Sequence, residues 1–181
     1  MRTSAATPWL IRPAVPVIAW MTERYISHHR ARLLPDSKPI EPTVLSPLEG
    51  FFSPDLLEQT RVIRATIPNP KFYPLAKIMG IDGVLEMSSI GAITLQDLVA
   101  YPDGLDRSTL FHELVHVAQY RVLGLRRFAA LYVRGFLDGG GYEGIPLERQ
   151  AFELEDRFSR NPTSVFPVED DVIQRQKAGR L

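Results

Sequence analysis

Hydrophobic positions recur at helical spacing through the second half of the chain. In residues 146–159, Leu147, Ala151, Leu154 and Phe158 fall at i, i+4, i+7 and i+11, the stripe of a helix lying on a core. In residues 106–123, Leu110, Phe111, Leu114, Val115, Val117 and Ala118 cover most of the circumference and leave a narrow polar strip. A third helix, 125–137, lies between them and joins the last through the glycine-rich DGGGYEG. Near the start, residues 17–34 read as a helix that Pro35 follows. Strict alternation marks a strand in TRVIRATI, with Val62, Arg64 and Thr66 on one face and Ile63, Ala65 and Ile67 on the other. GAITLQDLVAY reads as a second strand centred on residues 93–95, and YPDGLD as the turn after it.

Prolines and caps divide the chain. LLPDSKPIEPTVLSP reads as an extended linker. Ser46 and Glu49 have capping-box spacing around Pro47, and Ser53 with Pro54 repeats the start signal. PNPKFYP is a turn or loop. Residues 161–181 are polar and expected to be loosely held. The resulting division is an N-terminal helix and linker (1–44), a central domain (45–160) and a polar tail (161–181), of α+β class.

Composition narrows the function classes. With 181 residues the chain is long enough for one real core. Acidic and basic residues balance at 21 each, which argues against a nucleic-acid binder; Arg121, Arg126, Arg127 and Arg134 read as a solvated face. There is no cysteine, so any metal must be held by histidine, carboxylate or water. The N-terminal apolar residues are interrupted by Arg12, Pro13 and Pro16, so neither a secretory signal nor an integral membrane segment is expected. Trp9, Leu10 and Trp20 are expected to dock on the core, His28 and His29 to lie on the surface, and the protein to be cytoplasmic.

The polar strip of 106–123 carries the chemistry. His112 and His116 lie one helical turn apart and point the same way, so both imidazoles reach one tetrahedral ion at about 2.0–2.1 Å. Glu113 lies about 100° around the helix from His112. That sets its carboxylate beside the metal, where it takes a proton from the attacking water; this is the content of the His-Glu-x-x-His pattern, here HELVH. In this composition the pattern arises by chance in roughly 0.5% of chains. Gln119 shares the strip and is placed to support a ligand or touch substrate.

A catalytic zinc needs a third protein ligand. No histidine follows His116, so a carboxylate is required. Glu153 lies opposite the apolar stripe, one turn from Arg149 and Arg157, and reads as a solvated ion-pair residue. Glu148 sits at the stripe's edge in the first turn and is the preferred ligand, with Glu155 and then Glu143 behind it.

HELVH, followed by a helical pair and a glutamate in IPLERQAFELE, resembles the gluzincin class of zinc metallopeptidases, and within it minimal single-domain zincin-like proteins of bacteria. The likeness covers residues 45–160. It implies a zincin-like domain, with a small sheet packed on the active-site helix and further helices. A strand edge beside that helix would let a peptide add as an extra strand. It also implies Zn2+ and a peptide or protein substrate. Two features depart from the pattern. The acid that orients a zinc histidine, four residues after the third ligand, is Phe152 here. The distal oxyanion histidine is missing, and Tyr142 is the replacement, with Tyr120 and Tyr132 as alternatives. The expected activity is hydrolysis of a peptide or amide bond, with Glu113 as general base. The rival is a zinc-binding interaction or regulatory domain without turnover.

Overall fold

The computed structural model describes residue 13 and residues 15–68, 91–139 and 141–181. Among these, seven α-helices and one four-stranded sheet form an α+β fold. Trp9, Leu10, most of PNPKFYP and the segment up to residue 90 lie outside the described residues. No helix among the described residues is long and apolar enough to cross a membrane.

Helix α1 (Val15–Leu33) is followed by strand β1 (Lys38–Pro39), the short α2 (Pro42–Leu45), α3 (Pro54–Gln59) and β2 (Arg61–Arg64). The linker is therefore not simply extended: β1 pairs antiparallel with β2, Lys38 opposite Val62. Ser53 caps α3 by accepting from the Leu56 amide, as its Ser-Pro start predicts. The Ser46 to Glu49 capping box does not form; Ser46–Leu48 is one turn of 3-10 helix.

GAITLQDLVAY is a hairpin and not one strand. Strand β3 (Ile93–Leu95) turns through Gln96 and Asp97 into β4 (Leu98–Tyr101). Gln96 takes φ 67°, a left-handed conformation that glycine or asparagine would have advertised. Arg30 of α1 pairs with Asp97 in this turn and holds it. The sheet order is β1-β2-β4-β3, with β2 and β4 parallel and β3 at an edge. One sheet face carries Ile63, Leu95, Leu98 and Ala100, packed with Ile26 of α1 and with Tyr120 and Phe128. Helix α1 thus shares a core with the sheet and with Tyr120 and Phe128. His29 is buried against the Tyr25 ring one turn earlier, contrary to the surface reading, while His28 is exposed. Trp20 faces outward at 60% exposure and does not dock.

The site helix is α4 (Arg107–Leu123), followed by α5 (Leu125–Asp138), α6 (Pro146–Arg160) and α7 (Val168–Lys177). Asp106 caps α4, its Oδ1 accepting from the Ser108 and Thr109 amides at 2.9 and 3.1 Å. Gly124 ends it with φ 74°, a conformation that disfavours a side chain. Leu110, Phe111, Leu114, Val115, Val117 and Ala118 are all buried. Phe111 stacks on Phe158 of α6 with ring centroids 4.3 Å apart, and Phe51 and Phe166 pack edge-on around the pair. That stack fixes how α6 crosses α4.

The C-terminal segment is not a loose tail. Phe166, Val168 and Val172 enter the core beside α4 and α6, and α7 forms on them. Short spacing of a few apolar residues among many polar ones hid this helix. Glu153 pairs with Arg175 of α7, at 2.7 Å, rather than with its neighbours on α6.

Hydrogen bonds from Thr109 hold the Asp106 carboxyl below its ordinary pKa. A depressed carboxyl contributes stability above its unfolded pKa, near 3.9, and loses it as pH falls through the folded value. Asp106→Ala is expected to cost about 1 kcal/mol at pH 7. In urea unfolding the deficit should close as pH drops through the carboxylate range; a deficit constant down to pH 2 would mean that the cap is not its source.

Candidate metal centre

Three elements bring one cluster together. Helix α4 supplies His112 and His116 one turn apart. Helix α6 supplies Glu148 in its first turn, and Gly135 of α5 fixes where that turn lies. A Cβ on Gly135 would come within 2.6 Å of Pro146, so α5 and the start of α6 touch there only because the residue is glycine. His112, His116 and Glu148 are all buried.

The geometry of the three groups could suit a metal ion. His112 Nε2 and His116 Nε2 each lie 3.3 Å from Glu148 Oε2 and 3.2 Å from each other. A tetrahedral ion with bonds of about 2.0–2.1 Å separates its ligand atoms by about 3.3–3.4 Å. The triangle therefore matches three corners of such a site.

Proton bookkeeping points the same way. His112 Nδ1 donates to Glu155 Oε2 at 3.0 Å, and His116 Nδ1 donates to Gln119 Oε1 at 2.8 Å. Both partners only accept, so each Nδ1 carries its ring's proton and each Nε2 lone pair faces Glu148. Three acceptor atoms this close need a proton or a cation between them. His116 is the ring pushed toward its protonated form. Burial alone lowers its pKa, but the adjacent Glu148 charge and hydrogen bond outweigh that and push it up to about 9. Burial alone raises Glu148, but the charge and hydrogen bond of His116 and the hydrogen bond from Tyr142 hold it far below the usual carboxylate range.

Glu155, the first alternative to Glu148, lies outside the three-residue cluster. Its carboxylate meets His112 Nδ1, on the far side of the ring from Glu148, and also accepts from Ser108 Oγ at 2.8 Å. It stands seven residues beyond Glu148, whereas the acid expected from the resemblance would stand four beyond, at Phe152. The sequence signal was its azimuth, close to that of Glu148 and two turns on. Phe152 is 48% exposed and lies over the His112 ring, centroids 4.6 Å apart. Glu143 is exposed in the Tyr142–Gly144 turn and is not in the cluster.

Around the triangle stand the other candidates. Glu113 is buried, and Thr94 of β3 donates to its Oε2 at 2.6 Å. Burial raises the Glu113 pKa, against the opposing pull of His116, Thr94 and His112. Thr94 was not anticipated; only the packing of edge strand β3 on α4 places it there. Tyr142 donates to Glu148 Oε2 at 2.6 Å, and Tyr132 donates to Glu148 Oε1 at 2.8 Å. Both phenols are pushed well up, first by burial and then by the Glu148 charge. Tyr120 reaches Thr94 O only at 3.5 Å. Gln119 Nε2 donates to Leu147 O at 2.9 Å and to Gln150 Oε1 at 3.0 Å. Arg121, Arg126, Arg127 and Arg134 are exposed, and Arg121 pairs with Asp55.

No family model, curated protein or solved structure matches the chain.

Proposed function

We propose that the protein is a zinc-dependent hydrolase of peptide or amide bonds with a zincin-like arrangement. One observation carries this reading: two imidazole nitrogens and a carboxylate oxygen, mutually 3.2–3.3 Å apart, with a general base next to them on the same helix. The donor set and spacing suit zinc, with His112, His116 and Glu148 as ligands. A zinc ion held there would supply Lewis acidity, polarising a carbonyl and acidifying a water. Glu113 lies outside the ligand triangle and is free to take a proton. Thr94 binds its Oε2, so Oε1 is the atom that receives it and later gives it to the leaving amine. The raised Glu113 pKa helps it hold that proton between the two steps. Tyr142 stays protonated because its pKa is pushed up, and its O–H, which donates to Glu148 Oε2 here, would serve a developing oxyanion by turning from that oxygen toward the substrate. The peptide or protein substrate would lie along β3, the edge strand packed on α4.

A second reading, a metal-binding module without turnover, draws on one observation. The ligands and Glu113 are each no more than 6% exposed, which restricts access by a large substrate. Both readings need the metal. Elemental analysis of purified protein should give one zinc per chain, lost in His116→Ala. Equal zinc in wild type and His116→Ala would place the ion elsewhere and overturn both.

A further inference from the structure

A chain of hydrogen bonds runs from His116 through the buried interior to the C-terminal helix. His116 Nδ1 donates to Gln119 Oε1 at 2.8 Å. Gln119 Nε2 donates to Gln150 Oε1 at 3.0 Å, and Gln150 Nε2 donates to Asp171 Oδ1 of α7 at 2.7 Å. Arg175 Nε also donates to that oxygen, at 2.8 Å. Gln119 and Gln150 have no exposed surface at all.

The chain has a direction. Each amide receives through its oxygen on the His116 side and gives through its nitrogen on the other. Such a series must end on an acceptor, and an ionised carboxylate has no proton to offer in return. If Gln150 turned over, its NH2 would face the NH2 of Gln119, leaving two buried donors opposed. Asp171 excludes that arrangement. Gln119 is pinned a second time by Leu147 O, so its orientation is held from two sides.

Docking of α7 does not require this chain. Val168 and Val172 anchor the helix in the core, and Arg175 bridges to Glu153. The two buried glutamines occupy space that leucine could fill, so their satisfied polar contacts are best explained by what they orient.

We propose that Asp171 is a positioning residue of the metal centre. Through Gln150 and Gln119 it keeps the His116 proton on Nδ1 and leaves Nε2 for the metal. The proposal rests on the zinc reading above. The C-terminal helix, which touches none of the ligands in this chain of contacts, thereby helps to set metal affinity.

The test measures zinc affinity by chelator competition, together with long-range 1H–15N spectra of the histidine rings. The proteins are wild type, Asp171→Ala, Asp171→Asn and Glu153→Gln, with folding followed by circular dichroism. Asp171 is half-buried, so its variants are expected to fold. Asp171→Ala should weaken zinc about tenfold, the low end for groups that orient a ligand, and should perturb the His116 Nδ1–H signal. Asp171→Asn should recover most of that loss, because Arg175 Nε needs an acceptor at the Oδ1 position and so keeps the amide oxygen, not the NH2, turned to Gln150. Glu153→Gln weakens the Glu153–Arg175 tie between α6 and α7 by removing its charge and should leave both affinity and ring spectra unchanged. Asp171→Ala with wild-type affinity and spectra overturns the proposal. So does an equal loss in Glu153→Gln, which would trace the effect to helix docking. Wild type that takes up no zinc defeats the metal reading instead; ring spectra of the metal-free protein at alkaline pH, where the ring is neutral, then still decide whether Asp171 sets the tautomer.

Discussion

Glu113→Gln is expected to keep one zinc per chain and the native fold while turnover falls about 10²–10⁴-fold, the range of general-base contributions. Glu113 is not one of the three groups that converge on the ion position, so the amide leaves the ligand set intact. The substitution preserves shape, and the Thr94 hydroxyl still finds an acceptor oxygen. What is lost is the proton acceptor. Stability should hold or rise, because burial makes the Glu113 charge costly and the amide removes it. A peptide library read by mass spectrometry would supply the substrate, and kcat/KM for both proteins then gives the ratio. If zinc-loaded wild type cleaves nothing in a broad library, or cleaves no faster than the variant, the hydrolase reading fails. The non-catalytic metal module then takes its place.

What the sequence made legible follows from the range over which each signal acts. Helix α4 carries its own cap at Asp106 and a nearly all-round apolar surface, so its limits and burial are local information. The histidine pair is equally local, since one helical turn settles that both rings share a face. Glu148 needed one more step, the azimuth of the α6 stripe, and Leu147, Ala151, Leu154 and Phe158 do face inward. The sequence placed Glu155 behind Glu148 as a ligand but could not show that it meets the other nitrogen of His112. Ligand and orienting acid lie near one azimuth of α6, and only the crossing with α4, set by the Phe111–Phe158 stack, decides which carboxylate meets Nε2 and which meets Nδ1 of His112. Thr94 was invisible for the same reason, its contact spanning strand and helix. Gln96 concealed the hairpin because nothing in its side chain announces a positive φ. Helix α7 was hidden because Phe166, Val168 and Val172 are too few to make a convincing stripe, yet they complete an aromatic core built elsewhere.

Zinc itself should stabilise the folded protein strongly, and the variants should rank by their distance from the ion. A ligand present at 1,000 times its Kd adds about 4 kcal/mol if it binds only the native state. For a domain of 181 residues each kcal/mol moves Tm by about 2–4 °C, so wild type should gain about 8–16 °C. Glu155→Gln keeps all three ligands but loosens the His112 ring; a 10–100-fold weaker Kd removes part of that gain. Glu148→Gln removes the one charged ligand and should abolish nearly all of it. The gain should also grow with pH. In the metal-free protein the raised His116 pKa contributes stability that is fully present below about 6.5, the unfolded value, and lost as pH rises through about 9. Zinc must displace that proton, so it competes poorly at low pH and well at high pH. Differential scanning calorimetry with and without zinc, at pH 6 and pH 9, reads all four effects. An equal zinc-induced shift in wild type and Glu148→Gln, or a larger shift at pH 6 than at pH 9, would show that the ion does not sit on His112, His116 and Glu148.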